Sequence, residues 1–208
     1  MASIRPEQGA ELHTGPASVA RPAATVMLLR GGAERLEVLL VQRNPQARFM
    51  GGAWVFPGGS VDPADGEGEA GLRRAAIREL AEETGIELPA ETEMAALARW
   101  ITPEAVRRRF DTWFFVAGAP DGAQARVDGT EIVDARWLAP AQALALEARG
   151  SLFLVFPTIR QLEQLAGFQS ARAVLRHARL TPVEAVQPRI VGLGEDARIL
   201  LPGDPGYS

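Results

Sequence analysis

Residues 78 to 86, "RELAEETGI", set three glutamates, Glu79, Glu82 and Glu83, within five positions of one another. On a helix turning about 100° per residue they fall at i, i+3 and i+4, so their side chains lie on one patch. Like charges at these spacings destabilise an isolated helix by about 0.2–0.5 kcal/mol per pair. Arg74 and Arg78 are near enough in sequence to pair with some of the carboxylates, whereas a divalent cation would satisfy all three at once. Ligands that are all oxygen select Mg²⁺ or Mn²⁺ over softer metals. On the clustering alone, a solvated acidic helix face is the competing reading, and the surrounding sequence has to decide between the two.

The helix that carries the glutamates is expected from about Leu72 to Thr84, with Gly85 just beyond its end. Ala76, Ile77, Leu80 and Thr84 supply its apolar stripe. Upstream, "ATVMLL" and "LEVLLVQR" are expected strands joined by a hairpin through Gly31-Gly32, the second buried on both faces because its apolar run is continuous. "AWVFPGG" is a short aromatic strand running into a proline and two glycines, and "SVDPADGEGEAG" is a polar loop. Downstream, "EMAALARWIT", "FDTWFFVAGA" and "TEIVDARWL" are expected strands. "PAQALALEARG", "PTIRQLEQLAGF" and "ARAVLRHAR" are expected helices, and the final segment offers a strand pair. Strands flanked by helices, some of them linked as hairpins, predict an α/β fold with a mixed sheet sandwiched between helices. Residues 1–21 form an expected loose arm, 22–184 the domain and 185–208 a C-terminal extension packed on it.

Composition narrows the chemistry. The chain of 208 residues has a formal charge of -4 and no cysteine, which excludes disulfides, thiolate nucleophiles and cysteine-ligated zinc. Its two histidines, His13 and His177, are too few for a three-histidine zinc site. No basic stripe suited to nucleic acid is present, and no stretch has the apolar length of a membrane span or signal peptide, so a cytoplasmic protein is expected. Carboxylates and a hard metal are left to do the work.

With a Gly-Gly turn upstream and the order Arg78, Glu79, Leu80, Glu82, Glu83, Gly85, Ile86, the sequence resembles the Nudix hydrolases. Counting back from Arg78, the upstream glutamate of that family falls on Ala70, with Glu67 and Glu69 as nearby substitutes. Leu39, Leu40, Arg43, Arg48, Gly52, Phe56, Pro57, Gly58 and Gly59 stand at the spacings of the coenzyme A diphosphatase subgroup, with Val41 and Asn44 departing from it. Asp62 and Asp65 also look like that subgroup.

The resemblance implies a Nudix-type α/β/α sandwich and a metal-dependent diphosphatase that splits coenzyme A or acyl-coenzyme A into 3′,5′-ADP and the phosphopantetheine part. The alternatives are a diphosphatase for ADP-ribose or NADH, and a nucleotide sensor without turnover. It further implies Glu79 and Glu83 as principal metal ligands, Glu82 as ligand or base, the Gly59 carbonyl in the metal shell, and Arg78 as an orienter of a carboxylate. Glu131 stands where the family adds a late acid, against the reading of an exposed glutamate at a strand start. Arg43 and Arg48 are candidates to hold substrate phosphates, against a role in solubility. "RRRFD", Arg107 to Asp111, is either a phosphate clamp or a solvated turn. The resemblance also admits a homodimer, for which the aromatic segments offer surface.

Overall fold

The computed structural model describes residues 12–13, 15–31, 35–192 and 197–207. Two apolar runs build its centre. β1 (Arg21–Arg30) is fully buried from Val26 to Leu29, and β2 (Glu37–Arg43) from Val38 to Val41, as befits strands covered on both faces. The expected hairpin joins them through only two pairs, Leu29↔Val38 and Arg30↔Glu37. Its Gly32, like residues 1–11 and 14 of the expected arm and Ser208 at the far end, lies outside the described residues.

Beyond those two pairs the strands part. β3 (Trp54–Val55) pairs with β2, and β4 (Gly58–Ser60) with β1. α1 (Gly68–Thr84) follows, then β5 (Met94–Ile101) and β6 (Phe110–Gly118) as an antiparallel pair. β6 runs parallel to β1 along its length, and β7 (Ile132–Leu138) runs antiparallel to β2. α2 (Pro140–Ala148), α3 (Phe156–Leu165) and α4 (Ala171–Leu180) come next, and β8 (Ala185–Val186) completes an eight-stranded mixed sheet beside β5. β9 (Arg189–Val191) and β10 (Arg198–Leu200) form a separate two-stranded ladder.

The alternation along β1 sorts its side chains into two layers. Ala24, Val26 and Leu28 pack with Ala75, Ala76 and Leu80 of α1. Met27 and Leu29 pack in the cluster that holds Ala143 of α2, Leu162 of α3 and Val174 of α4. The result is the expected α/β/α sandwich.

Two expectations about α1 need correction. The helix starts at Gly68, one turn before Leu72, because the glycines there serve close packing: a Cβ on Gly71 would lie 2.3 Å from the Gly66 carbonyl oxygen. Its innermost residues are Ala75, Ala76, Leu80 and Thr84, and Ile77 is only partly buried. The helix is therefore rotated from the predicted seating, and this rotation decides which glutamate points inward. It closes as expected at Gly85, where φ is 66°.

Candidate active site

The strand β4 and the second half of α1 face each other, and both are fixed to β1. Ala24↔Gly59 and Thr25↔Gly58 tie β4 to β1, while Leu80 and Ala76 seat α1 on the same strand. Glu83 is turned into this seam with 5 % of its surface exposed, and the Gly58 N–H donates to its Oε2 at 3.0 Å. Burial pushes its carboxyl up to about 8, against the Gly58 bond that favours the anion. The negative charge of Glu79 and Glu131 adds to the rise, and Arg43 opposes it. Glu79 is also raised, first by burial, with Arg78 opposing. Glu79 lies so close to β4 that a Cβ on Gly59 would sit 2.5 Å from its carboxyl carbon.

Glu82 leaves the group. Its side chain is 59 % exposed and turned to Arg78, whose Nη1 donates to Glu82 Oε2 at 3.0 Å and to Glu79 Oε1 at 2.9 Å. The other side of the same guanidinium grips Asp65, through Nε to Oδ1 at 3.2 Å and Nη2 to Oδ2 at 2.9 Å, and Nη2 also reaches the Ser60 carbonyl at 3.1 Å. Asp65 ends a short 3-10 turn (Pro63–Asp65) and is 5 % exposed. The Arg78 bonds, with the Asp62 N–H, hold its carboxyl below the usual carboxylate range, and Arg78 in turn is held firmly charged by Asp65.

Asp65 is therefore the upstream carboxylate that pairs with Arg78. Counting forward from Gly59, rather than back from Arg78, would have found it. Glu67 caps the helix start without a side-chain cap bond, and Glu69 pairs with Arg73 at 2.7 Å. Neither substitutes for it. Asp65→Asn is expected to lower stability by about 2 kcal/mol in urea denaturation and turnover by about tenfold, since Arg78 loses its anchor.

Across the site, Glu131 stands just before β7 with its side chain 62 % exposed and within 3.2 Å of Arg43 Nη2. Its loop is pinned from both ends. Asp128 accepts from the Thr130 hydroxyl and from the N–H groups of Glu131 and Ile132, and these bonds hold its carboxyl well below the usual range. Asn44, one of the two residues that depart from the subgroup pattern, donates from Nδ2 to the Thr130 carbonyl at 2.7 Å. Asp128 escaped the sequence reading, although the turn dipeptide Asp128-Gly129 beside Glu131 is a local signal.

A cavity of about 680 Å³ opens on Glu79 and Glu131. Gly58, Gly59, Glu79, Arg43 and Glu131 line it, together with Trp100, Phe110, Phe156 and Ile159. Arg48 is elsewhere. It lines an adjacent hollow, because β2 ends at Arg43 and the turn through Met50 carries the chain away. Trp54 lies in the core, and Trp113 stacks on Phe115 at 6.4 Å.

Among the described residues no three acidic or histidine side chains stand as a ready ligand set. The donors nevertheless suit a hard divalent ion. They are all oxygen, the charge of Glu131 raises the carboxyls of both Glu79 and Glu83, and the carboxyl of Glu83 is buried without a cation bonded to it.

Residues 19–157 match the NUDIX domain family, and the chain belongs to it. Proteins of this family generally use divalent metal ions. The chain is 44 % identical over 61 residues to the Caenorhabditis elegans protein named peroxisomal coenzyme A diphosphatase ndx-8, a match covering 29 % of this chain and 25 % of that one. It is 33 % identical over 109 residues to a Bacillus subtilis protein named for 8-oxo-dGTP diphosphatase activity, covering 52 % of this chain and 62 % of that one. The chain thus spans less than two thirds of the length of these curated relatives. The solved structure of a NUDIX hydrolase from Alicyclobacillus acidocaldarius aligns with 79 % of this chain and 99 % of its own, with a TM-score of 0.71 and 26 % identity.

Proposed function

We propose that this chain is a Mg²⁺- or Mn²⁺-dependent diphosphatase that hydrolyses the pyrophosphate bond of coenzyme A or an acyl derivative. The observation that carries the reading is the composition of the cavity. Its lining joins carboxylates and Arg43 with aromatic and aliphatic side chains, a combination that matches a substrate with a charged diphosphate and a long, weakly polar arm. Trp100, Phe156, Ile159, Ile190 and Ile199 would receive that arm.

Glu79 and Glu83, with the Gly59 carbonyl, are the groups to hold the metal, which when bound neutralises phosphate oxygens and acidifies a water. The remaining steps belong to the chain itself. Arg78 fixes Glu79 in place and is itself fixed by Asp65. Arg43 exchanges its contact with Glu131 for a substrate phosphate oxygen, which frees Glu131 to accept a proton from the attacking water. The water oxygen joins one phosphorus, the bridging P–O bond breaks, and the two phosphates leave as 3′,5′-ADP and phosphopantetheine.

The test is hydrolysis of coenzyme A, ADP-ribose and NADH with Mg²⁺, Mn²⁺ or EDTA, the products resolved by mass. Metal-dependent release of 3′,5′-ADP, at a kcat/KM at least about tenfold above the other two, is expected. Preferential turnover of ADP-ribose or NADH would retain the metal chemistry and refute the substrate, and tight nucleotide binding without any product would mark a sensor.

A further inference from the structure

Beside the cavity lies a second hollow, of about 700 Å³, and among the described residues its wall holds five arginines, Arg21, Arg48, Arg107, Arg108 and Arg109, and no acid. Arg109 is committed to the fold: it is 8 % exposed, and it donates from Nη1 to the Ser18 carbonyl at 2.6 Å and from Nε to the Thr102 carbonyl at 3.0 Å. Arg21, Arg48 and Arg108 are exposed and have no carboxylate partner among the described residues. This is the reverse of the catalytic side, where Arg43 and Arg78 are both paired with acids. Arg108 is held over the Phe49 ring, 5.6 Å from its centre, and Phe49, Val106 and Arg108 line both hollows. One ligand can therefore lie across the shared wall and present groups to each side.

We infer that this arginine hollow is an anion subsite for a phosphate monoester carried by the substrate at a distance from the bond that is cleaved. The two arginines of the upstream signature then serve different phosphates. Arg43, at the end of β2, meets the diphosphate, and Arg48, beyond the turn, meets the distant monoester together with Arg21 and Arg108. Three guanidinium groups around a hollow whose described wall holds no acid repel one another, and a dianionic phosphate offers each of them a charge-assisted bond. A nucleotide bearing a phosphate on its ribose in addition to the diphosphate has this shape of charge. The inference rests on the coenzyme A reading and assigns to the hollow the feature that separates coenzyme A from its 3′-dephospho form.

The experiment compares the full chain with the double variant Arg48→Ala/Arg108→Ala. It measures kcat/KM for coenzyme A and 3′-dephospho-coenzyme A, and affinity for 3′,5′-ADP and 5′-AMP by calorimetry. The unaltered protein is expected to prefer the 3′-phosphorylated member of each pair by about tenfold or more, and the double variant to lose that preference through KM rather than kcat. Arg48→Lys/Arg108→Lys is expected to restore part of it. A preference that survives in the double variant, or an equal loss on both members of a pair, overturns the subsite. If neither coenzyme A form is hydrolysed, the activity proposed above fails, and the calorimetric pair decides the subsite alone: equal affinities of the unaltered protein for 3′,5′-ADP and 5′-AMP overturn it.

Discussion

Glu83→Gln is expected to lower kcat about a thousandfold and, in the same protein, to make the metal-free fold more stable at pH 8. The two effects share one cause. Glu83 carries an ionisable group in a seam with little water, and its carboxyl is pushed from 4.5 up to about 8. The unfolded chain releases this proton near pH 4.5 and the folded chain near pH 8, so the unfolded state binds fewer protons between those values. Stability therefore falls as pH rises through that window, by about 1.4 kcal/mol at most for each unit of separation. Glutamine keeps an oxygen for the Gly58 N–H and has no proton to lose. Urea denaturation in EDTA should show the unaltered protein weaker at pH 8 than at pH 5 by on the order of a few kcal/mol, and the variant nearly level. Mn²⁺ should restore the unaltered protein at pH 8 and do little for the variant. An unaltered protein that gains stability from pH 5 to pH 8 would contradict the burial argument.

Gly59→Ala should cut kcat by about a hundredfold while leaving the melting temperature within about 3 °C of the original. The new methyl would stand 2.5 Å from both the carboxyl carbon and Oε1 of Glu79. Those atoms end a flexible side chain, so the fold yields by moving the carboxylate, and a ligand displaced by about 1 Å is lost to catalysis. The neighbouring change Gly58→Ala behaves differently. There φ is 155° and the methyl meets the Ala24 carbonyl oxygen at 2.4 Å, which is backbone of the central strand. That variant should lose stability and activity together, so the pair of variants separates site geometry from folding. Equal melting losses for both would show that Gly59 is also a structural glycine.

The apolar runs made the central strands legible, because burial on two faces leaves continuous hydrophobic sequence in β1 and β2. They did not show how the strands pair: a hairpin of two residue pairs looks in sequence like a full one, and the partners that take over, β6 and β7, are remote. The glutamates were legible as a group, since helical spacing alone places them together. Which of them turns inward depended on how α1 is seated, and the small residues Ala75 and Ala76 proved to be the contact rather than Ile77. This brings Glu83 in and lets Glu82 out to Arg78. Arg43 and Arg48 look like equivalent neighbours in the sequence and are parted by the end of a strand. Asp65 was hidden by extra residues between it and Arg78, since an ionic contact through space leaves no fixed spacing in the chain.

The parallel pairing of β1 with β6 also bears on how the protein comes into being. Nine of the ten residues of β1 meet a partner 89 positions later, from Arg21↔Phe110 to Leu29↔Gly118. Contacts of such long range slow folding, because the chain between them must be ordered before they form. On the ribosome, a nascent chain that has not yet reached Gly118 presents Val26 to Leu29 as an apolar strand with one side open, the kind of edge that recruits other chains. Both glycines of β4 hang on that same strand, so the strand that β6 covers is also the one that positions the acid cluster.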